Sequence, residues 1–192
     1  MDAATASQDV ITLPFTVRSA RGTDLPDLEW FGLHTPHREI LATAFRTQER
    51  GTGALLVAEI NGFPAGQICI DFQRKRHLGR ATLWALRVFQ PFRNRGIATR
   101  LMVAAEDMTL DHGYSETELG VDRDNAGVIA FYERLGYELS GTERGRYSYR
   151  TPAGEQVQVP IDQWVLRKPI LRESAWQRGV SFVSSVIPPP AL

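Results

Sequence analysis

Apolar and polar residues alternate in several short segments of the chain, and these segments predict β-strands. They are PFTVRSA (14–20), ALLVAEI (54–60), AGQICIDF (65–72), ATLWALRVF (81–89) and ETELGVD (116–122). The segments at 54–60 and 65–72 are separated by NGFP, a turn sequence that predicts a β-hairpin. A closing antiparallel pair is predicted from YELSGTERGRYSYR and VQVPIDQWVLRKP, which TPAG joins.

Other segments carry apolar residues at helical spacing. Thr23 or Asp24 is a candidate N-cap for a helix over GTDLPDLEWFGL, and EILATAFRTQERG predicts a helix that Gly51 ends. A third helix is predicted after residue 96, because Ile97, Leu101, Ala104, Ala105 and Met108 share one face. Asn125 begins a fourth, with Val128, Phe131, Tyr132 and Leu135 as its buried stripe.

Composition narrows the class of protein. A chain of 192 residues with 43% hydrophobic content predicts one domain, here placed at residues 1–168, with a C-terminal tail at 169–192 that either forms an interface or is disordered. Lys plus Arg number 22 and Asp plus Glu number 22, so no global charge favours nucleic acid or an anionic membrane. Any basic site must therefore be local.

Cysteine usage and the chain start predict the compartment. Cys69 is the single cysteine, which excludes an internal disulfide, and its isoleucine neighbours predict a buried apolar role. The start, MDAATASQDV, lacks the features of a signal peptide, and no apolar run reaches the ~18 residues of a membrane span. We therefore expect a soluble, cytoplasmic protein. A homodimer is the hypothesis for its oligomeric state, because symmetric dimers are common.

The segment FRNRGIATR (92–100) combines a strand end, a basic turn and a helix start. A helix N-terminus offers unpaired backbone N–H groups and partial positive charge, which suit a phosphate. Gly96 allows close approach of a ligand or a positive φ, and Arg93 and Arg95 add charged donors. Solvated surface arginines are the alternative interpretation. Neither a nucleotide-triphosphate loop nor a dinucleotide fingerprint matches the segment, so it predicts a different phosphate ligand.

Two segments together carry a family resemblance. Arg93-Asn94-Arg95-Gly96-Ile97-Ala98 resembles the Arg/Gln-x-x-Gly-x-Gly/Ala signature of the GNAT superfamily of N-acetyltransferases. NAGVIAFYERLGYE, in which Asn125 lies seven residues before Tyr132, is similar to the family's second cofactor segment. The order of elements agrees with the family over roughly residues 15 to 168, and the motifs agree over about 81 to 140.

The resemblance implies an α/β (α+β mixed) fold with a mixed, mostly antiparallel sheet flanked by helices. The sheet would splay open between strands 81–89 and 116–122, and acetyl-CoA would lie in the cleft. The implied cofactor-binding residues are Leu86, Arg87, Val88, Arg93, Asn94, Arg95, Gly96, Ile97, Ala98, Thr99, Asn125 and Tyr132. The backbone at 86–88 would pair with the pantetheine arm as an added strand does, and the 93–99 turn would hold the pyrophosphate.

The implied chemistry is direct transfer of an acetyl group to an amine in a ternary complex. Tyr132 would protonate the departing thiolate as general acid, or would only fill the core, since packing demands the same helical spacing. Many family members carry a glutamate on the strand before the turn, but ATLWALRV contains no acidic residue. The base therefore stays open among Glu118, Asp122 and Asp71, each acting through water. Glu118 and Asp122 share a face of their strand.

The acceptor is expected to be a primary amine of a small molecule or peptide, bound by segments outside the cofactor core. Trp30, Phe31, His34, Tyr147 and Tyr149 are candidates for an aromatic acceptor pocket, although such residues are more often simply packed. His34-x-x-His37 lacks an evident third ligand, so no metal is predicted. The alternative function is a non-catalytic acyl-CoA-binding sensor or interaction module with the same fold.

Overall fold

The computed structural model describes residues 12–171. Its strands are β1 Phe15–Ser19, β2 Gly53–Ile60, β3 Phe63–Asp71, β4 Arg80–Val88, β5 Glu116–Asp122, β6 Glu138–Arg150 and β7 Gln156–Pro169. Its helices are α1 Arg38–Glu49, α2 Ile97–Asp111 and α3 Ala126–Arg134. The strands form one seven-stranded sheet in the order β1-β2-β3-β4-β5-β7-β6.

Strand pairing is antiparallel throughout this sheet except between β4 and β5, which run parallel. The predicted mixed, mostly antiparallel α/β fold is therefore confirmed. The β2–β3 hairpin is confirmed as well. Its turn residues Asn61 and Gly62 have φ of 47° and 83°, the left-handed conformations that a tight hairpin turn requires.

The helix predicted over GTDLPDLEWFGL is wrong. Two short 3₁₀ turns, Gly22–Asp24 and Asp27–Glu29, occupy this stretch. Pro26 lies between them and lacks the N–H that an α-helix would need. Asp24 also stabilises the first turn, because its Oδ2 accepts a hydrogen bond from the Arg21 N–H at 2.7 Å. Tertiary packing then buries Trp30, whose indole N–H donates to the Pro64 carbonyl at 2.7 Å.

Two apolar cores cover opposite faces of the sheet. Alternation along β3 sends Ile68 and Ile70 to the core that α2 covers, and Cys69 to the core that α1 covers. Cys69 is fully buried, and burial raises the pKa of its thiol to about 12. Its predicted burial is confirmed. The α1 face and the α2 face are therefore separate environments on either side of the same strands.

Within residues 12–171, no helix is both long enough and apolar enough to cross a membrane. The sheet ends with β7 at Pro169. The predicted roles of the tail beyond this strand, and of the chain start, lie almost wholly outside the described residues.

Candidate active site

The sheet opens between its two parallel strands. Pairing of β4 with β5 runs from Arg80 opposite Glu116 to Leu83 opposite Leu119, and β4 then continues unpaired on this side to Val88. β4 has a β-bulge at this point. Trp84 pairs with Cys69 of β3 and Arg87 pairs with Gln67, so the two β4 residues between Trp84 and Arg87 lie opposite a single residue of β3. Ala85 in the bulge has a φ of 51°. Bulges bend a strand and end its pairing, so β4 presents an open backbone edge.

Side chains after the bulge point alternately to the two faces of the sheet. Leu86 and Val88 pack against the core on the α2 face. Arg87 lines a cleft on the α1 face. The segment predicted to bind pantetheine thus sends side chains both to the α2-side core and to the α1-side cleft, and its open backbone edge lies between them.

The basic turn leads directly into α2. Gly96 is the N-cap residue of this helix, with a left-handed φ of 75°, and no side chain caps the helix. A Cβ on Gly96 would meet no atom within 4 Å. The first N–H groups of α2, on Ile97, Ala98 and Thr99, therefore lie beside open space, which is the arrangement that an anionic ligand requires.

Polar residues of the turn take different roles. Asn94 also has a left-handed φ, of 59°. Arg93 Nε donates to the Val88 carbonyl at 3.0 Å and so ties the turn to the open strand. The Arg95 side chain is exposed to solvent. A pyrophosphate fits this turn, because it offers backbone donors, arginine donors and space.

The second motif lies on α3. Asn125 is the N-cap of this helix, and its Oδ1 accepts a hydrogen bond from the Val128 N–H at 3.3 Å. Tyr132 is 8% exposed and contacts Tyr137 edge-on, with ring centroids 5.7 Å apart. Burial raises the pKa of the Tyr132 hydroxyl to about 12. The phenol therefore keeps its proton at neutral pH, as a general acid must.

Two of the three candidate bases lie in one place. Glu118 and Asp122 line the α1-side cleft on either side of Gly120. Asp71 is at the end of β3, where its Oδ1 accepts hydrogen bonds from the N–H groups of Gln73 and Arg74 at 2.7 and 3.0 Å. Asp71 is thus part of a turn, whereas Glu118 and Asp122 face the space in which an acceptor would bind.

Those two carboxylates differ in their partners. Glu118 accepts a hydrogen bond from Arg167 Nε at 2.7 Å and lies 3.7 Å from Arg80 and 3.8 Å from Lys75. Asp122 accepts one from the Gln163 side-chain amide at 2.8 Å and is exposed. Only Asp122 lies on the part of β5 beyond its last pair with β4.

The α1-side cleft has a volume of about 1060 Å³. Its walls come from β4, β5, α1 and the tip of the β6–β7 hairpin, including Tyr147 and Tyr149. The other aromatic candidates lie elsewhere: Trp30 is buried in the α1-side core, and Phe31 is 88% exposed and stacks on Phe63. A volume of this size is ample for a small molecule or a few residues of peptide.

Sequence reasoning chose Arg87 for its backbone and missed its side chain. It also missed Gln67, which lies opposite Arg87 on β3, is 1% exposed and has no hydrogen-bond partner for either amide atom among the described residues. Side chains alternate along a strand, so Arg87 must point to the face opposite that of Leu86 and Val88, and this pattern was available in the sequence. No local pattern marks Gln67. Among residues 12–171, no cluster of three or more His, Cys, Asp or Glu side chains could hold a metal ion.

Comparison with known proteins identifies the class. Residues 20–137 match the model of the acetyltransferase (GNAT) family, and the chain belongs to this family. The resemblance read from the two motifs is confirmed.

Relatives agree with this assignment. An uncharacterized N-acetyltransferase of Methanocaldococcus jannaschii is 33% identical over 102 residues, covering 50% of this chain and 44% of the relative. The chain spans about half the length of the curated relatives it matches.

Solved structures agree in fold. The ribosomal-protein-S18-alanine N-acetyltransferase of Escherichia coli has a TM-score of 0.61 at 23% identity, over 82% of this chain and 94% of that protein. A putative acetyltransferase of Salmonella typhimurium, solved with acetyl-CoA, has a TM-score of 0.63 at 15% identity, over 81% of this chain and 94% of that protein.

Proposed function

We propose that the protein transfers an acetyl group from acetyl-CoA to a primary amine of a small molecule or peptide, by direct transfer in a ternary complex. The observation that carries the proposal is the open edge of β4 beside the uncapped N-terminus of α2. These two features supply unpaired backbone donors where the motifs call for pantetheine and pyrophosphate. Leu86 and Val88 would flank the pantetheine arm, and Gly96 through Thr99 would hold the phosphates.

The chain's own residues account for the chemical steps. Acetyl-CoA would supply the activated acyl group. A backbone N–H of the 86–88 segment would donate to the oxyanion that develops on the acetyl carbonyl. Tyr132, buried and protonated, would give its proton to the departing sulfur. Asp122 would take a proton from the attacking amine through water, because an alkylamine with pKa about 10.4 is mostly protonated at neutral pH.

The first test is calorimetric titration of the purified protein with acetyl-CoA, followed by thiol release against a panel of amines and peptides. Saturable binding with amine-dependent thiol release is expected. Failure of acetyl-CoA to bind would overturn the proposal, because both motifs are assigned to that ligand.

The alternative, a non-catalytic acyl-CoA-binding module, rests on the lack of an acidic residue in ATLWALRV. The same experiment separates the two functions. Binding with no turnover on any amine would favour the module. A Tyr132→Phe variant with reduced turnover would exclude it.

A further inference from the structure

Arg87 is a half-buried arginine in the α1-side cleft, and it has no anionic partner. Its guanidinium makes no ion pair or side-chain hydrogen bond with any described residue, and the side chains that influence its charge most, Cys69 and Tyr147, contain no carboxylate. Burial without a counter-charge lowers the pKa of Arg87. Arginines are seldom buried unless they are paired, so the missing partner is informative.

Most other charged groups of the cleft have partners, and Arg150, exposed at the end of β6, is a second cation for which residues 12–171 supply no ion pair. Arg74 pairs with Glu143, and Arg167 binds Glu118 at 2.7 Å. Asp122 accepts its hydrogen bond from a neutral amide. No carboxylate of the described residues therefore serves Arg87, although several line the same cleft.

Neutral polar groups surround Arg87. Gln67 is directly opposite it on β3, and both side chains lie on the α1 face, as Cys69 does. The Gln67 amide and His37 Nδ1 are buried without hydrogen-bond partners among residues 12–171. The positive charge of Arg87, together with burial, lowers the pKa of His37 and lowers that of His34 to about 4. Both imidazoles are thus neutral at pH 7 and add no second positive charge.

We infer that Arg87 binds a carboxylate of the amine acceptor, so that the acceptor is an amino acid or a short peptide with a free carboxylate. This inference rests on the proposed function. The planar guanidinium matches a carboxylate with two parallel hydrogen bonds. Arg87 lies on the part of β4 that no longer pairs with β5, and Asp122 lies on the corresponding part of β5. The two side chains line the same cleft and have opposite charges. A dipolar acceptor would place its ammonium group toward Asp122 and its carboxylate toward Arg87.

A carboxylate suits the cleft better than a phosphate. Arg87 is the half-buried cation of the cleft, so a single acceptor carboxylate would balance its charge, whereas Arg150 is exposed to solvent. The carboxylates of Glu118, Asp122 and Glu143 would repel a dianion.

The test compares acids with their amides. The wild-type protein, saturated with CoA, is titrated with the twenty N-acetyl amino acids and with the matching N-acetyl carboxamides. Acetylation of the free amino acids and their amides is measured in parallel. We expect at least one acid to bind and to react about 10- to 100-fold better than its amide, as charged hydrogen bonds allow.

Arg87→Met keeps the side-chain volume and removes the charge. It should raise KM for the preferred acid about 10- to 100-fold and bring the acid-to-amide ratio close to one. The rate on the amide and the Kd for acetyl-CoA are measured as well, because the backbone of residue 87 lies in the proposed cofactor site. Any loss there would affect the acid and the amide equally, so their ratio isolates the role of the side chain. Arg146→Met is the matched control, because Arg146 is an exposed arginine of β6 outside the lining of the cleft, and this variant should keep the wild-type ratio.

Three results would overturn the inference. They are a wild-type ratio of one or less across the panel, an Arg87→Met variant that keeps its preference, and preferred acetylation of O-phosphoethanolamine over every amino acid. Titration with acetyl-CoA alone reports on the proposed function. If the protein binds acetyl-CoA and acetylates amines but does not prefer acids to amides, the proposed function stands and only the role of Arg87 is refuted.

Discussion

Tyr132 is a buried residue to which the family resemblance assigns a chemical role. A free tyrosine has a pKa near 10, and burial in the α2-side core raises that of Tyr132 to about 12. The hydroxyl keeps its proton over the whole range in which enzymes usually work. Burial therefore keeps the hydroxyl protonated, as a free tyrosine also is at neutral pH, and the role of Tyr132 as proton donor stays a prediction.

Replacing Tyr132 by Phe should lower kcat about 10²- to 10⁴-fold, the usual contribution of a general acid. The Kd for acetyl-CoA should change little, because the ring and its contacts remain. Steady-state kinetics and calorimetry measure the two quantities. Phe131→Leu, on the neighbouring position of α3, is the packing control. Unchanged kcat in the Tyr132→Phe variant would remove Tyr132 from the mechanism.

Asp122 and Glu118 can be separated in the same way. Asp122→Asn should lower kcat/KM about 10²- to 10⁴-fold, since the proposed base is lost. Asp124→Asn, at an exposed position two residues along the chain, should leave kcat/KM close to wild type. If Glu118→Gln reduces the rate and Asp122→Asn does not, the proton acceptor is Glu118 instead.

His34 makes stability depend on pH. Its pKa is about 4 in the folded protein and near 6.5 in the unfolded chain. Between these values the unfolded chain binds a proton that the folded protein excludes. The stability that neutral His34 contributes is therefore fully present above pH 6.5 and decreases as the pH falls toward 4.

A His34→Asn variant should lose less stability than the wild type between pH 6.5 and 4, as measured by urea unfolding at several pH values. His77→Asn is the control, because His77 is exposed, and it should follow the wild-type curve. Identical slopes for the wild type and the His34→Asn variant would show that burial does not exclude the proton.

At the scale of elements, α2 combines a structural and a binding role. Its Ile97, Leu101, Met102 and Ala105 lie in the core, while its N-terminus opens beside Gly96 without a capping side chain. A helix normally satisfies its first N–H groups with a cap, water or a ligand. The missing cap leaves these donors available to an anionic ligand, which the proposed function identifies as acetyl-CoA.

Gly96→Glu should abolish acetyl-CoA binding, because the side chain would enter the space beside the first turn of α2 and repel the phosphates. The chain offers a matched control in Gly113, just beyond the other end of α2, which has a φ of 83° and also no atom within 4 Å of an added Cβ. Gly113→Glu should produce similar backbone strain and keep the wild-type Kd. Undiminished affinity in a folded Gly96→Glu protein would refute the assignment of the turn.

At the scale of the whole molecule, the separation of β4 from β5 joins the two faces of the sheet. Leu86 and Val88 belong to the α2 face, and Arg87 belongs to the α1-side cleft. A donor held on one side can therefore meet an acceptor held on the other through the opening. The bulge at Ala85 is the local cause, since pairing between the strands stops at Leu83.

Acetyl-CoA should slow amide hydrogen exchange over residues 84–88 and leave residues 80–83 unchanged, because β5 already pairs with the latter. At 100 times its Kd, the ligand should also raise Tm by about 5–10 °C. Exchange mass spectrometry and calorimetry measure these effects. Equal protection of both segments, or of neither, would argue against pantetheine pairing with the open strand.

The predictions succeeded where the pattern is local. Alternation located β2, β3 and β5, and helical spacing with a glycine or asparagine at the start located α2 and α3. The helix over GTDLPDLEWFGL failed, because Pro26 and the contacts of Asp24 favour short turns over a continuous helix. The N-cap candidates Thr23 and Asp24 could not reveal contacts that this segment makes with distant strands, such as that of Trp30 with Pro64.

By itself, the sequence determined the order of the seven strands and of α1 to α3, the family and the turn that begins α2, because each depends on residues close together in the chain. Only the tertiary structure decided where β4 bulges, which candidate acids share a cleft, and that Arg87 is half-buried without a carboxylate. Those properties depend on contacts among β3, β4, β5 and α1, which are distant in sequence and meet only when the sheet assembles.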